Sequence, residues 1–151
     1  MNYEIVFLEE KLVVGKSIVT SNEGGKAIGD IADLWQNFIG DGIFDGIKNK
    51  QSSTGIGLYT DYEGDFTKPY RFMCCTEILS FDNPDLELRK ISAGKYAKFT
   101  VKGDVQIDIG KAWGEIWKMD LARKYSNDFE HYLYDSDDMK NQTVEIYIAI
   151  K

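Results

Sequence analysis

Acidic and phenolic side chains alternate with apolar ones in two stretches near the end of the chain. Glu145 and Tyr147 alternate with branched apolar residues over the last eight positions, and Glu130 and Tyr132 show the same two-residue spacing. Because successive side chains of a strand point to opposite faces, each pair shares one face of its strand. If both strands belong to one sheet, we expect the two carboxylates and the two phenols to converge on one surface.

A carboxylate surrounded by aromatic rings suits a lipophilic cation. The rings provide cation–π and stacking contacts, and the carboxylate provides the opposite charge. We expect Trp113 to complete this site, with Trp117 and Tyr59 as further walls. Two other interpretations remain open: the same residues form the solvent-facing side of a half-exposed sheet, or a carboxyl whose pKa is raised by apolar surroundings acts as a general acid or base.

No other residue pattern indicates chemistry. His131 is the single histidine and has no cysteine or histidine companions at metal-ligand spacing, so we expect neither a metal site nor a catalytic triad. Gly55 and Gly57 fall within a predicted strand and do not open a helix, which argues against a phosphate loop. The adjacent Cys74 and Cys75 are expected to be free thiols. We therefore expect no catalytic residue and no cofactor.

Length and charge narrow the class of protein. A chain of 151 residues that is 43% hydrophobic can bury one core, so we expect a single domain over residues 1–151. The formal net charge of −7 disfavours direct contact with nucleic-acid phosphates. We see neither a secretory signal nor an apolar run long enough for a membrane span, and expect a cytoplasmic protein.

A repeated motif organises the chain into two halves. Asp30-Ile31-x-x-x-Trp35 returns as Asp108-Ile109-x-x-x-Trp113, each time with apolar residues at helical spacing. This predicts amphipathic helices at Ala27–Ile39 and Val105–Tyr125, in internal repeats covering about residues 3–79 and 88–150.

Strand-like stretches surround each predicted helix. They cover about residues 3–20, 55–62, 70–79, 88–101, 129–134 and 143–150, with a short helical turn within 43–51. The expected fold is therefore α/β (α+β): two duplicated strand–helix–strand–strand halves, related by a pseudo-two-fold axis, form an antiparallel sheet with a central ligand cleft.

An ordered series of motifs along the chain resembles a known family. The motifs are Gly94-Lys95-Tyr96-Ala97-Lys98-Phe99, then Trp113 and Trp117, then Asp128-Phe129-Glu130-x-Tyr132, and finally Val144 to Ile150. Together they resemble the GyrI-like effector-binding domain, the ligand-sensing module of AraC-type and MerR-type multidrug-responsive regulators. Within that family the chain is most similar to stand-alone proteins encoded on integron cassettes.

The resemblance implies a ligand-binding role linked to transcriptional regulation or a xenobiotic response. It implies an acidic residue at Glu130 that meets cationic, aromatic drug-like ligands, supported by the strand that carries Glu145 and Tyr147. A separate DNA-binding or regulatory protein would be the partner. Two alternatives from the same superfamily are a hydrolase acting on reactive xenobiotics and an inhibitor of DNA gyrase.

Overall fold

Eight strands and three α-helices make up the structure, a computed structural model that describes residues 1–151. A short 3-10 turn at Glu23–Gly25 leads into the first helix. In chain order the elements are β1 (Glu4–Leu8), β2 (Lys11–Thr20), α1 (Lys26–Gly40), α2 (Ile43–Gly46), β3 (Gly55–Thr60), β4 (Tyr70–Glu77), β5 (Glu87–Ile91), β6 (Gly94–Gly103), α3 (Asp108–Lys118), β7 (Arg123–Tyr132) and β8 (Gln142–Ile150).

All eight strands join one antiparallel sheet, in the order β1-β6-β8-β7-β3-β4-β2-β5. The first half contributes β2-α1-β3-β4 and the second contributes β6-α3-β7-β8, and the halves meet where β3 pairs with β7. The five-residue strand that begins each half pairs with a strand of the other half: β1 pairs with β6, and β5 pairs with β2. The expected α+β fold with duplicated halves is confirmed.

The two halves correspond residue for residue along most of the sheet. β2 and β6 each contain ten residues, and β1 and β5 each contain five. Aligning β2 with β6 also aligns β4 with β8, and then β3 with β7, because the paired strands of the two halves have equivalent registers. In this alignment Gly57 of β3 is the counterpart of Glu130 of β7. These two residues are also direct partners across the β3–β7 pair. The pseudo-two-fold axis therefore passes through them, at the centre of the sheet.

The sheet has an apolar core on each face. On one face, α1 covers the first half and α3 covers the second, over two clusters of buried side chains. A third cluster, which includes Leu58, Phe129 and Tyr147, lies on the other face. Because strand side chains alternate, Asp128 and Glu130 point to the helix face while Phe129 between them points away.

The bounds of α3 and the start of β7 differ most from the sequence-based expectation, and α3 begins at Asp108 rather than at Val105. Helix α3 ends at Lys118, and Met119 already has extended backbone angles, so the prediction of a helix as far as Tyr125 is wrong. The segment from Arg123 joins β7 instead and pairs with β8, with an irregular register between Arg123 and Asp128. Strand pairing overrides the high helix propensity of the intervening Leu121 and Ala122.

None of the helices combines the length and apolarity that crossing a bilayer requires; α1, the longest, has 15 residues.

Candidate functional site

The central feature of the helix face is the carboxyl group of Glu130, which is 2% exposed. It accepts three side-chain hydrogen bonds. The indole Nε1 of Trp113 donates to Oε2 at 2.6 Å, the Tyr59 hydroxyl donates to Oε2 at 3.0 Å, and the Tyr132 hydroxyl donates to Oε1 at 2.8 Å. These four residues were predicted to share a site, and the structure brings them together.

Three different elements position these donors. Trp113 belongs to the buried stripe of α3, whose apolar spacing fixes that helix on the sheet. Tyr132 lies two residues after Glu130 on β7 and therefore shares its face. Tyr59 comes from the other half, on the neighbouring strand β3, and its ring packs 4.9 Å from that of Trp113.

The carboxyl group lies directly over a glycine of the opposite half. A Cβ added at Gly57 would lie 2.8 Å from Oε1 of Glu130 and 3.0 Å from Cζ of Phe72. The first contact is shorter than real Cβ atoms make and the second is unusually tight, so the closeness of the carboxyl group to β3 depends on a residue without Cβ. The sequence singled out Gly57 only to exclude a phosphate loop, and its role at this site was missed.

Aromatic rings from both halves surround the carboxyl group. Trp35 of α1 meets Tyr132 edge-on at 5.2 Å, and Tyr59 lies 4.9 Å from Phe72. Trp35 is half-buried and was not predicted to belong to the site. The repeated motif makes Trp35 the counterpart of Trp113, and this was the sequence signal that could have placed it there. Each tryptophan contacts a tyrosine of the opposite half, Trp35 contacting Tyr132 and Trp113 contacting Tyr59.

The charge of Glu130 has no positive partner in the protein. None of the salt bridges in the structure includes this residue. Burial raises the pKa of Glu130, and the hydrogen bonds from Trp113, Tyr132 and Tyr59 oppose that rise without cancelling it. Burial also raises the pKa of both tyrosines, so their hydroxyls remain donors at neutral pH.

A second buried carboxylate lies on the same face of the same strand, and it is paired. Asp128 is fully buried and binds Nη2 of Arg123 at 2.7 Å. It also accepts hydrogen bonds from the Tyr62 hydroxyl at 2.6 Å and from the backbone N–H of Ala149 at 2.9 Å. Asp128 was not predicted to have a role at the site, although its two-residue spacing from Glu130 predicts the shared face.

Glu145 and Tyr147 do not converge with Glu130, so that expectation is wrong. The β7–β8 register sets Glu130 opposite Ile146, and places Glu145 opposite His131 and Tyr147 opposite Phe129. Directly opposed residues share a face, so both side chains lie on the face away from the helices. There Glu145 forms a salt bridge with Lys98 at 2.8 Å.

Trp117 lies at the edge of the site rather than at the carboxyl group. Its side chain is 37% exposed and stacks on Phe66 of the β3–β4 loop, with ring centroids 5.4 Å apart and planes 4° from parallel. The Phe66 carbonyl in turn accepts a hydrogen bond from Asn22, just before α1. This contact joins the two halves across the helix face.

Both cysteines are free and buried, as expected. Burial raises the pKa of both thiols, so they are protonated and unreactive.

Comparison with known proteins identifies relatives over nearly the whole chain. A sequence profile of the Cass2 family, described as integron-associated effector binding proteins, matches residues 4–150. The crystal structure of the integron cassette protein VCH_CASS2, from the mobile metagenome of Vibrio cholerae, is 29% identical. Its TM-score is 0.78 over 99% of this chain and 95% of that one.

Two further relatives are more distant or shorter in their match. SAV2435, solved bound to tetraphenylphosphonium, has a TM-score of 0.78 over 100% of this chain and 94% of that one, at 20% identity, and shares the fold. The YobU protein of Bacillus subtilis (strain 168), whose name describes a transcriptional regulator, is 33% identical over 106 residues. That match spans 64% of this chain and 63% of YobU.

Proposed function

This chain belongs to the Cass2 family of integron-associated effector-binding proteins, and from that premise we propose that it binds lipophilic aromatic cations at Glu130, without catalysis. The observation that carries the proposal is a buried carboxyl group with three neutral hydrogen-bond donors and no positive partner.

The contrast with Asp128 supports this assignment. Burying an ionised carboxylate without a partner costs several kcal/mol, and the fold supplies that partner for Asp128 through Arg123. On the same strand and face, Glu130 is left without one. A bound cation would provide the missing charge in surroundings where water does not screen it.

The hydrogen bonds at Glu130 indicate which kind of cation fits. A carboxylate has about four lone-pair positions, and three of those of Glu130 are directed to Trp113, Tyr59 and Tyr132. Little capacity remains for the several N–H donors of a primary ammonium group. A quaternary or delocalised cation needs only charge and ring contacts, which Glu130 and the surrounding aromatic side chains offer.

A relative with the same fold supports a ligand of this class. SAV2435 was solved with tetraphenylphosphonium, a quaternary cation surrounded by phenyl rings. At 20% identity this likeness extends to the fold, so the ligand class in this chain rests on Glu130 and its aromatic neighbours.

We propose that ligand binding is linked to transcriptional regulation or a xenobiotic response through a separate protein. The regulator name of YobU favours such a link. The net charge of −7 makes direct contact with DNA phosphates unfavourable, so a DNA-binding partner would make those contacts.

Calorimetric titration with tetraphenylphosphonium tests the binding proposal, using two charge-removing variants of matched chemistry. Glu130→Gln should weaken binding by roughly 1–3 kcal/mol, because a desolvated charge pair is lost. Glu145→Gln removes the same charge from the opposite face, where Glu145 is paired with Lys98, and should leave affinity within about twofold because the sheet separates it from the ligand. Equal losses in the two variants, or none in Glu130→Gln, would refute the proposal.

A further inference from the structure

Arg123 is buried with most of its hydrogen-bonding capacity unused. Its side chain is 6% exposed, and only Nη2 has a partner, the carboxylate of Asp128. Nε and Nη1 are buried without any hydrogen-bond acceptor. Each unsatisfied buried donor costs about 1–3 kcal/mol, and such groups are rare in native proteins. Their position therefore calls for a functional explanation.

The backbone around Arg123 is shaped to hold the guanidinium in place. It lies over the ring of Tyr125, 4.2 Å from the ring centroid. Tyr125 has φ of 54°, in the left-handed region that bulky residues avoid, and it falls in the irregular part of the β7–β8 register. Such backbone strain is concentrated at sites where a side chain must be held in one position for function.

Arg123 is connected to the Glu130 site along the helix face. Asp128, its partner, is two residues from Glu130 on the same face of β7, which corresponds to about 7 Å. Packed rings continue between the two carboxylates: Tyr59 lies 5.6 Å from Tyr70, and Tyr70 lies 5.8 Å from Tyr62, whose hydroxyl binds Asp128. A continuous row of packed aromatic rings thus connects the two carboxylates.

We propose that Arg123 forms a second recognition point of the ligand site and donates a hydrogen bond to an oxygen acceptor on the bound cation. The ligand class is then an aromatic cation that carries a carbonyl oxygen at least about 7 Å from its positive centre. This inference rests on the proposed binding of cations at Glu130.

A neutral carbonyl fits this position better than a carboxylate. Asp128 already balances the charge of Arg123 at 2.7 Å. A second anion at the guanidinium would therefore lie close to Asp128 in a weakly screened environment, where like charges repel strongly. An ester or amide oxygen accepts from Nε or Nη1 without adding charge.

Two triphenylphosphonium ions of similar size provide the test. One carries a hexyl chain, and the other a 4-(methoxycarbonyl)butyl chain that ends in an ester. Calorimetric titration of the wild-type protein should show about tenfold tighter binding of the ester, the gain expected from one hydrogen bond to a charged donor. Similar affinities for the two ions would overturn the subsite and leave the Glu130 proposal standing, whereas failure of both ions to bind would overturn both.

Two variants then locate the preference. The double substitution Arg123→Met with Asp128→Asn removes the ion pair as a unit, and the ratio of ester to hexyl affinity should fall to about one. In Glu130→Gln both affinities should fall by the same factor, so the ratio is preserved. A preference that survives the double substitution would place the acceptor elsewhere. If that variant does not fold, equal affinities of the wild-type protein for the two ions would still refute the subsite.

Discussion

Two carboxylates two residues apart on β7 have the same burial and different electrostatic environments. Asp128 has a guanidinium 2.7 Å away, whereas Glu130 has only the hydroxyls of two tyrosines and an indole N–H. Burial raises the pKa of both acids. At Glu130 no charged group of the protein opposes that effect, and a bound cation would favour the ionised form. Proton and cation should therefore compete for this one group.

The competition predicts a pH dependence of binding. A bound cation favours the carboxylate, so affinity for tetraphenylphosphonium should be full above the raised pKa of free Glu130 and fall by up to about tenfold per pH unit below it. The ligand carries a permanent charge, so any titration belongs to the protein. Calorimetry between pH 4.5 and 8 measures the slope. Glu130→Gln should bind weakly with no such slope, and a wild-type profile as flat as that of the variant would contradict the assignment.

The residues of the site show which features of side-chain position can be predicted from the sequence. The two-residue spacing of Glu130 and Tyr132 predicted their common face, because alternation within a strand is local geometry. The register between β7 and β8 depends on tertiary packing, and a shift of one residue moves a whole set of side chains to the other face. Glu145 and Tyr147 were assigned to the wrong face for that reason.

At the scale of elements, β3 and β7 meet at a glycine and a glutamate related by pseudo-symmetry. Duplication of a strand–helix–strand–strand unit supplies both positions, and only one carries an acid. The missing side chain at Gly57 leaves room for the Glu130 carboxyl group and for Phe72 above the strand. The divergence of the two halves at this position thus leaves one carboxyl group without a charged partner at the centre of a nearly symmetric set of aromatic rings.

Gly57→Ala tests the need for that space. The added methyl group would push against Oε1 of Glu130 and the ring of Phe72, so we expect a loss of about 1–3 kcal/mol in the free energy of unfolding, as for other overpacked cores, together with weaker binding of tetraphenylphosphonium. Urea denaturation and calorimetry measure the two effects.

Gly29→Ala is the matched control for this substitution. Gly29 lies within α1, and an added Cβ meets nothing within 4 Å. We expect stability to rise by up to about 1 kcal/mol, from helix propensity, with affinity unchanged. If Gly57→Ala behaves like this control, close approach to the glycine is not a requirement of the site.

The sequence predicted the bounds of α1 more reliably than the end of α3 and the start of β7. The apolar stripe of α1 predicted its bounds to within one residue, because helical periodicity is visible over several turns. The segment after α3 has no comparable signal. Leu121 and Ala122 favour a helix, yet hydrogen bonding to β8 and burial of Arg123 with Asp128 determine the start of β7. The pairing with β8 joins residues that are distant in the chain, and local propensity does not report it.

At the scale of the whole molecule, the site lies across the junction between the halves. Glu130, Tyr132 and Trp113 come from the second half, while Tyr59, Gly57 and Trp35 come from the first. The stack of Phe66 on Trp117 adds a further contact between halves at the edge of the same surface. A ligand held at the centre would therefore contact side chains of both halves, and its binding energy would oppose their separation as well as local unfolding.

Hydrogen exchange should reveal this coupling between the halves. A ligand that binds only the native state stabilises it by about 2.7 kcal/mol at a concentration of 100 Kd, and amides that exchange by global unfolding slow accordingly. With tetraphenylphosphonium at that concentration, exchange should slow by a similar factor in β3–β4 of the first half and β7–β8 of the second. Glu130→Gln at the same ligand concentration serves as the control and should show a smaller slowing, in proportion to its weaker affinity. Slowing confined to the second half would mean that the ligand contacts Glu130 without the walls contributed by α1 and β3, and the site would then belong to one repeat rather than to the pair.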